Sequence, residues 1–187
     1  GQDVISFQTY DHYGRESREY LPFANSSSSP GLYRSNAASL HSSYYTANYN
    51  DSRGFAEKTY EASPLNRLTK QGVPGTPWIG KEINLNENTN GTGDAVRIWT
   101  VDGAGLPVTS ANYPAGALAK LETINENGQR TIEYKDKLGR LILKKVQESA
   151  TPGVDHSGWL CTYYVYDSFG RLRVVMPPKA TAAVLAG

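Results

Sequence analysis

Four times this chain spells a five-residue phrase that ends in arginine: Asp11-His12-Tyr13-Gly14-Arg15, Ser63-Pro64-Leu65-Asn66-Arg67, Asp136-Lys137-Leu138-Gly139-Arg140 and Asp167-Ser168-Phe169-Gly170-Arg171. The phrase describes one piece of backbone. Asp or Ser at the first position of a type I turn accepts hydrogen bonds from the turn's own amides. Pro suits the second position, and Gly or Asn suits a fourth position with positive φ. The second copy replaces every turn residue yet keeps each stereochemical role, which argues for a shared turn rather than chance composition.

Each turn is flanked by strand-like runs. Before the turns stand Phe7-Gln8-Thr9-Tyr10, Glu57-Lys58-Thr59-Tyr60, Thr131-Ile132-Glu133-Tyr134 and Tyr163-Tyr164-Val165-Tyr166, each ending in Tyr. After them come 15–20, 68–70, 141–144 and 172–175. Strand, turn with a left-handed residue, and strand make a β-hairpin. The closing arginines Arg15, Arg67, Arg140 and Arg171 are expected beside the tyrosine that precedes the same turn, stacked on its ring for ~0.5–1 kcal/mol.

The phrases Tyr10-Asp11-x-x-Gly14-Arg15 and Tyr166-Asp167-x-x-Gly170-Arg171-Leu172 resemble the YD repeat of bacterial Rhs-type and wall-associated surface proteins. The other copies depart from it: Lys135 is inserted between Tyr134 and Asp136, and Ala62 separates Tyr60-Glu61 from Ser63. The longer phrases, Tyr60 to Arg67, Tyr134 to Arg140 and Thr162 to Arg173 with Pro177-Pro178, resemble a domain of unknown function near the start of large Rhs-repeat proteins. That resemblance implies hairpins winding into a sheet around a hollow shell, an extracellular or cell-surface location, and, in many members, a toxin at the C-terminal end.

Thirteen Tyr against four Phe and one Met favour a sheet with one wet face over a thick apolar core, because tyrosine suits half-buried positions. The net charge of +1 gives no bulk attraction to nucleic acid or anionic membrane. No segment approaches the roughly 18–20 apolar residues that a membrane helix needs. Cys161 is the single cysteine and forms no intrachain disulfide. Gly1 reads as the remnant of a tag and Gly187 as a break in mid-element, so the chain is expected to be a piece of a longer protein.

The expected fold is mainly β: antiparallel hairpins or a meander forming a curved sheet, with one or two short helices. Residues 1–187 read as a single β domain, with sub-units 1–72 and 81–187 allowed on either side of a stretch broken by Pro74, Pro77, Gly72, Gly75 and Gly80. Residues 24–36, with Ser26 to Gly31, read as a flexible loop. Asn36–Tyr45 can form a helix with Leu40, Tyr44 and Ala47 on one face. Asn90-Gly91 and Asn127-Gly128 are strong hairpin signals, the second within a three-strand meander over 118–146. Val96–Val101 alternates as a strand, and Lys179–Ala186 follows Pro177-Pro178 as a helix. The four tyrosines are unevenly spaced, unlike a solenoid of fixed period and suited to a degenerate cap of a repeat array.

No residue constellation points to catalysis, a cofactor or a metal. Asn86-x-Asn88-x-Asn90-Gly91 mimics a calcium loop, but Arg97 stands where the bidentate Glu belongs. His12, His41 and His156 are scattered, and neither Asp155-His156-Ser157 nor Cys161 is placed beside a partner by sequence. Gly91-Thr92-Gly93 and Gly103-Ala104-Gly105 lack phosphate-loop spacing and read as hairpin turns. Trp78, Trp99 and Trp159 can form a sugar-stacking platform or fill a packed face, and packing is the better account. The expectation is a non-catalytic scaffolding or capping module whose partners are further repeats of its parent chain, with a carbohydrate-binding or adhesin-like module as the alternative. Open sheet edges also allow self-association.

Overall fold

A computed structural model describes residues 2–26 and 31–186. The chain divides into two compact units, Gly1–Asn84 with Asn125–Asn127, and Leu85–Ile124 with Gly128–Gly187. The boundary falls inside a strand, β6 (Ile83–Thr89), and not in the Pro/Gly-rich stretch before it. Every strand pair whose register is described is antiparallel and the sheets are open, as the hairpin pattern implied. No described helix is long and apolar enough to cross a membrane.

In the first unit, β1 (Gln2–Ile5) pairs with β3 (Phe23–Ser26). Separately, β2 (Arg18–Tyr20), β4 (Phe55–Tyr60), β5 (Leu68–Gln71) and the start of β6 pair in that order. The expected strand before the first turn is reduced to a single bridge, Thr9 to Arg18. Of the loop expected over 24–36, residues 24–26 belong to β3 and 27–30 lie outside the described residues. Helix α1 (Ala37–Tyr49) runs one turn further than expected and ends where Asn50 adopts φ 52°. Its buried face is Ala37 and His41, with Tyr45 half-buried, and Ala47 is exposed. The helix turns this face inward because His41 sits among Phe7, Tyr20, Phe23 and Tyr45 and bonds the Gly54 carbonyl at 3.1 Å. Burial lowers the pKa of the His41 imidazole.

In the second unit, β9 (Ala119–Ile124), β10 (Arg130–Lys135) and β11 (Leu141–Gln147) form the expected meander. It continues through β12 (Trp159–Tyr166) to β13 (Leu172–Met176), the last strand in the order. A separate ribbon pairs β7 (Arg97–Val101) with β8 (Pro107–Asn112). Helix α2 (Pro178–Ala186) starts at the second proline, whose missing N–H costs nothing in a first turn. In β12 the odd residues Trp159, Cys161, Tyr163 and Val165 are buried while the even ones are not. With Val96, Trp99, Leu118, Ile132, Tyr134, Ile142, Leu143 and Met176 they make the core.

The Asn90-Gly91 signal does not make a hairpin. Asn90 is buried: its amide donates to the Pro114 carbonyl at 2.9 Å and its Oδ1 accepts the Leu118 N–H at 2.8 Å. A 3-10 turn, Thr92–Asp94, follows. The long-range demand for a satisfied buried amide outweighs the local turn preference here.

Candidate functional site: arginine rungs between hairpins

The three Asp-led turns are superimposable in their bonding. One oxygen of Asp11, Asp136 and Asp167 accepts the amide N–H groups two and four residues on, at 2.9–3.0 Å. The other oxygen accepts the Nε–H of Arg15, Arg140 and Arg171 at 2.8, 2.7 and 2.9 Å. Gly14, Gly139 and Gly170 take φ 76–78° and close the turn onto the Asp carbonyl at 2.9 Å. A carboxylate that accepts this many donors is held in its ionised form. The Arg15 and Arg171 amides and side chains keep Asp11 and Asp167 below the ordinary aspartate range. At Asp136 burial pushes upward but the Arg140 donors prevail.

The second turn divides the aspartate's work between two residues. Ser63 shapes the turn: its Oγ accepts the Leu65 N–H, and its carbonyl accepts the N–H of Asn66, which takes φ 53°. Glu61, not Ser63, holds the arginine, with Oε2 2.9 Å from Arg67 Nη2, and the Arg67 and Ser63 donors hold its carboxyl down at about 2. The inserted Ala62 is therefore part of a longer loop, and Tyr60 directly precedes the carboxylate as Tyr10 and Tyr166 do. A fifth copy of the turn occupies the segment expected only as a hairpin turn around Gly103-Ala104-Gly105. Asp102-Gly103-Ala104-Gly105-Leu106 makes the same amide bonds at 2.9 and 2.8 Å, with Gly105 at φ 83°. Its signal was the Asp-x-x-Gly spacing; Leu106 in place of arginine concealed it.

Arg15 and Arg140 do not stack on the tyrosine that precedes their own turn, although Arg15 does lie 4.8 Å from the ring of Tyr13 within that turn. Arg15 lies over the ring of Tyr60 at 4.8 Å, and Arg140 over that of Tyr166 at 5.0 Å; in each case the ring belongs to the next hairpin. The tyrosine hydroxyl completes the rung by donating to the carbonyl just after the arginine: Tyr60 to Glu16 at 3.2 Å, Tyr166 to Leu141 at 3.1 Å. Register explains it. β2 pairs with β4 as Arg18 to Glu57, and three residues toward the turn this sets Arg15 opposite Tyr60. β11 pairs with β12 as Leu143 to Tyr163, and the same extension sets Arg140 opposite Tyr166. Within the hairpins of Arg67, Arg140 and Arg171 one residue is skipped two places after the arginine: Thr69, Ile142 and Arg173. Such a bulge turns the strand locally and aims its side chains away from the partner strand.

The guanidinium also approaches the following turn. Arg15 Nη1 donates to Asn66 Oδ1 at 3.0 Å, and Arg140 Nη1 lies 3.2 Å from where a Cβ on Gly170 would stand. The unassigned ends differ. Arg171 lies over its own Phe169 at 5.1 Å, as Arg15 lies over Tyr13 at 4.8 Å, but no ring of a later hairpin covers it among the described residues. Tyr10 has no arginine over it and is 62% exposed. Tyr134 is a special case. Lys135 occupies the place before Asp136, and a one-residue slip sends Tyr134 to the opposite face. There it is fully buried and donates to Asp94 Oδ1 at 2.9 Å.

That buried face carries a polar cluster. Asp94 also receives Lys120 Nζ at 2.7 Å and the Gly91 N–H at 2.8 Å. Lys145 is fully buried; burial holds it down at about 8, and its three protons go to the carbonyls of Asp94, Val154 and Asp155 at 3.4, 3.0 and 2.7 Å. Cys161 is pushed up to about 11 by burial. His156 Nε2 faces the Tyr163 hydroxyl at 2.8 Å, and the same oxygen accepts the Arg97 N–H. A saturated lysine and a protonated thiol are poor nucleophiles, so the cluster reads as a satisfied core network. No group of three His, Cys, Asp or Glu side chains among the described residues is spaced to hold a metal.

The tryptophans do not form one platform. Trp99 and Trp159 are buried, and the Trp159 indole donates to the Gly153 carbonyl at 2.8 Å. Trp78 is 45% exposed, with Lys81 Nζ 5.7 Å from its ring centre. A cavity of about 170 Å³ is lined by Trp99, Tyr113, Arg140, Ile142, Tyr164, Tyr166 and Asp167, which include the arginine and tyrosine of the second rung.

Residues 1–92 match a family described as Domain of unknown function (DUF6443). The match covers the continuous part of the first unit and ends in the 3-10 turn. No curated protein and no solved structure matches the chain.

Proposed function

We propose that this chain is a non-catalytic structural module of a large secreted or cell-surface protein of the Rhs/YD-repeat kind, one that scaffolds or caps a β-shell. The observation that carries the reading is the rung. Twice, an arginine fixed by its own turn carboxylate covers the tyrosine of the next hairpin, whose hydroxyl bonds back beside that arginine. A contact that joins one hairpin to the next through backbone register serves to stack hairpins, and it leaves none of its polar groups over for chemistry. Its natural partners are further hairpins of the parent chain. The degenerate members, with Glu61 replacing Asp and Leu106 replacing Arg, suit the edge of an array better than its regular middle. Antibodies raised against residues 1–187 should label intact, unpermeabilised cells that make the parent protein; labelling only after permeabilisation would refute the surface assignment.

A second reading, a carbohydrate-binding or adhesin-like module, draws on Trp78 alone, since it is the one tryptophan with an accessible face. It predicts a specific glycan-array signal abolished by Trp78→Ala. An array without such a signal removes it.

A further inference from the structure

Each rung defines what an uncovered hairpin edge lacks, and the chain has two such edges that complement one another, one in each unit. At the trailing end, β13 has no partner strand on its outer side among the described residues. The Arg171 side chain is 66% exposed, and Leu172 and Val175 are half-exposed along the same strand. Its edge carries one charge, Arg173, at the bulge, and is otherwise apolar, where natural edge strands commonly carry more protection. Helix α2 packs against β12 and β13, with Leu185 on the core and the Thr181 hydroxyl on the Met176 carbonyl, and it is not a strand partner for β13. At the leading end, residues 6–10 form the outermost segment beside β2, tied to it by the Thr9 to Arg18 bridge. Tyr10 is exposed and its hydroxyl turns back to Gln8 at 2.8 Å for want of a carbonyl in the next strand.

We propose that two copies of this chain associate head to tail, the outer edge of β13 in one copy receiving residues 6–10 of the other. The register is that of the internal rungs. Arg171 faces Tyr10 of the second copy, and Leu172 faces Thr9. The Tyr10 hydroxyl leaves Gln8 and donates to the Leu172 carbonyl, as Tyr60 does to Glu16 and Tyr166 to Leu141. Antiparallel pairing is retained, because each hairpin's second strand already runs antiparallel to the next hairpin's first. The charges agree. Beside residues 6–8 lies an open groove lined by Glu16, Glu19 and Lys58; Lys58 pairs with Glu19 at 3.0 Å, which leaves the Glu16 carboxylate as the groove's acidic excess. The trailing end presents Arg171 and Arg173, both more than half exposed. The second copy is the occupant because this chain carries both halves of the rung, uncovered, in the geometry that it satisfies twice internally.

The inference rests on the rung reading above, and its test is separable from it. Sedimentation velocity is run on the 187-residue chain from micromolar to millimolar concentration, with Tyr10→Ala, with Arg171→Ala, and with the two variants mixed. Both side chains are exposed, so the variants should keep the parent's circular dichroism. The wild-type mass should climb with concentration beyond one chain, since a heterologous contact can repeat. Each variant alone should associate at least roughly tenfold more weakly. The mixture should form a dimer and stop there, because Tyr10→Ala retains a working tail, Arg171→Ala retains a working head, and only one intact junction can form between them. A wild-type chain that stays monomeric, or variants that associate as well as wild type, would overturn the proposal. So would a mixture that stays monomeric. None of those outcomes touches the internal rungs, which are tested by stability.

Discussion

Replacing Arg140 with alanine removes the centre of the second rung while leaving its turn intact. Asp136 keeps its two amide donors, so the hairpin should still close. Two contributions are lost. The stack on half-buried Tyr166 is worth ~0.5–1 kcal/mol. The ion pair with Asp136, on a side chain 31% exposed, adds ~0.3–1 kcal/mol after solvent screening. Arg171→Ala is the matched control, because it breaks the same turn bond on a side chain 66% exposed with only Phe169, 83% exposed, beneath it. It should cost no more than ~0.5 kcal/mol. For a unit of about 100 residues the difference amounts to several degrees in Tm, at ~4–8 °C per kcal/mol. Urea unfolding followed by tryptophan fluorescence reports this unit well, since Trp99 and Trp159 are buried in its core, and a Trp78→Phe background silences the other unit. A double-mutant cycle of Arg140→Ala with Tyr166→Leu should return a coupling of ~0.5–1 kcal/mol. Equal losses for the two arginines, or a coupling within ~0.2 kcal/mol of zero, would refute the rung as a source of cohesion.

Acid should destabilise the second unit in a defined window. Burial and the nearby Lys145 charge hold folded His156 at about 4 against an ordinary 6.5, so the unfolded chain takes up the proton first. The His156 contribution is complete above about pH 6.5 and falls by up to ~3 kcal/mol as the pH drops to 4. A His156→Gln variant should lack that slope in urea midpoints measured across this range; an unchanged slope would mean that another group titrates. The depressed carboxylates Asp11, Asp136, Asp167 and Glu61 contribute stability above their ordinary range and lose it only below about pH 4. Gly139→Ala should cost ~1–2 kcal/mol from its φ of 77° alone, for nothing lies near the new methyl. Gly170→Ala should cost more, because it also meets Arg140 Nη1, and the excess should vanish in an Arg140→Ala background. Cys161, buried with a raised pKa of about 11, should resist a thiol reagent at pH 8 and react only as fast as the unit opens. Rapid labelling of the native protein would show that the core is less closed than its burial implies.

Much of the local architecture was legible because it is written in short-range stereochemistry. Asp-x-x-Gly-Arg specifies a turn through the bonds of one carboxylate and one left-handed glycine, and Pro177-Pro178 specifies a helix start. These involve neighbours in sequence only. The Asp102 turn was legible as a hairpin turn through Gly103-Ala104-Gly105 but not as a copy of the phrase, because the arginine, which does not shape the backbone, is absent from it. The Asn90-Gly91 signal misled because a buried side-chain amide found partners at Pro114 and Leu118, far beyond the reach of any local pattern. The helix stripe shifted for a similar reason: His41 is buried by aromatic rings from distant strands and by the Gly54 carbonyl.

What the chain alone determined is where the four phrases turn the backbone; that a carboxylate of the same turn pins each arginine, with Glu61 doing so in the second copy, came only with the structure. Which tyrosine that arginine covers was a tertiary decision. The guanidinium can reach either of two rings, and only strand register, the bulge after the turn, and the face assigned to Tyr134 by the single inserted Lys135 choose between them. Register is set by the pairing of whole strands over buried faces, and so no five-residue phrase could carry it.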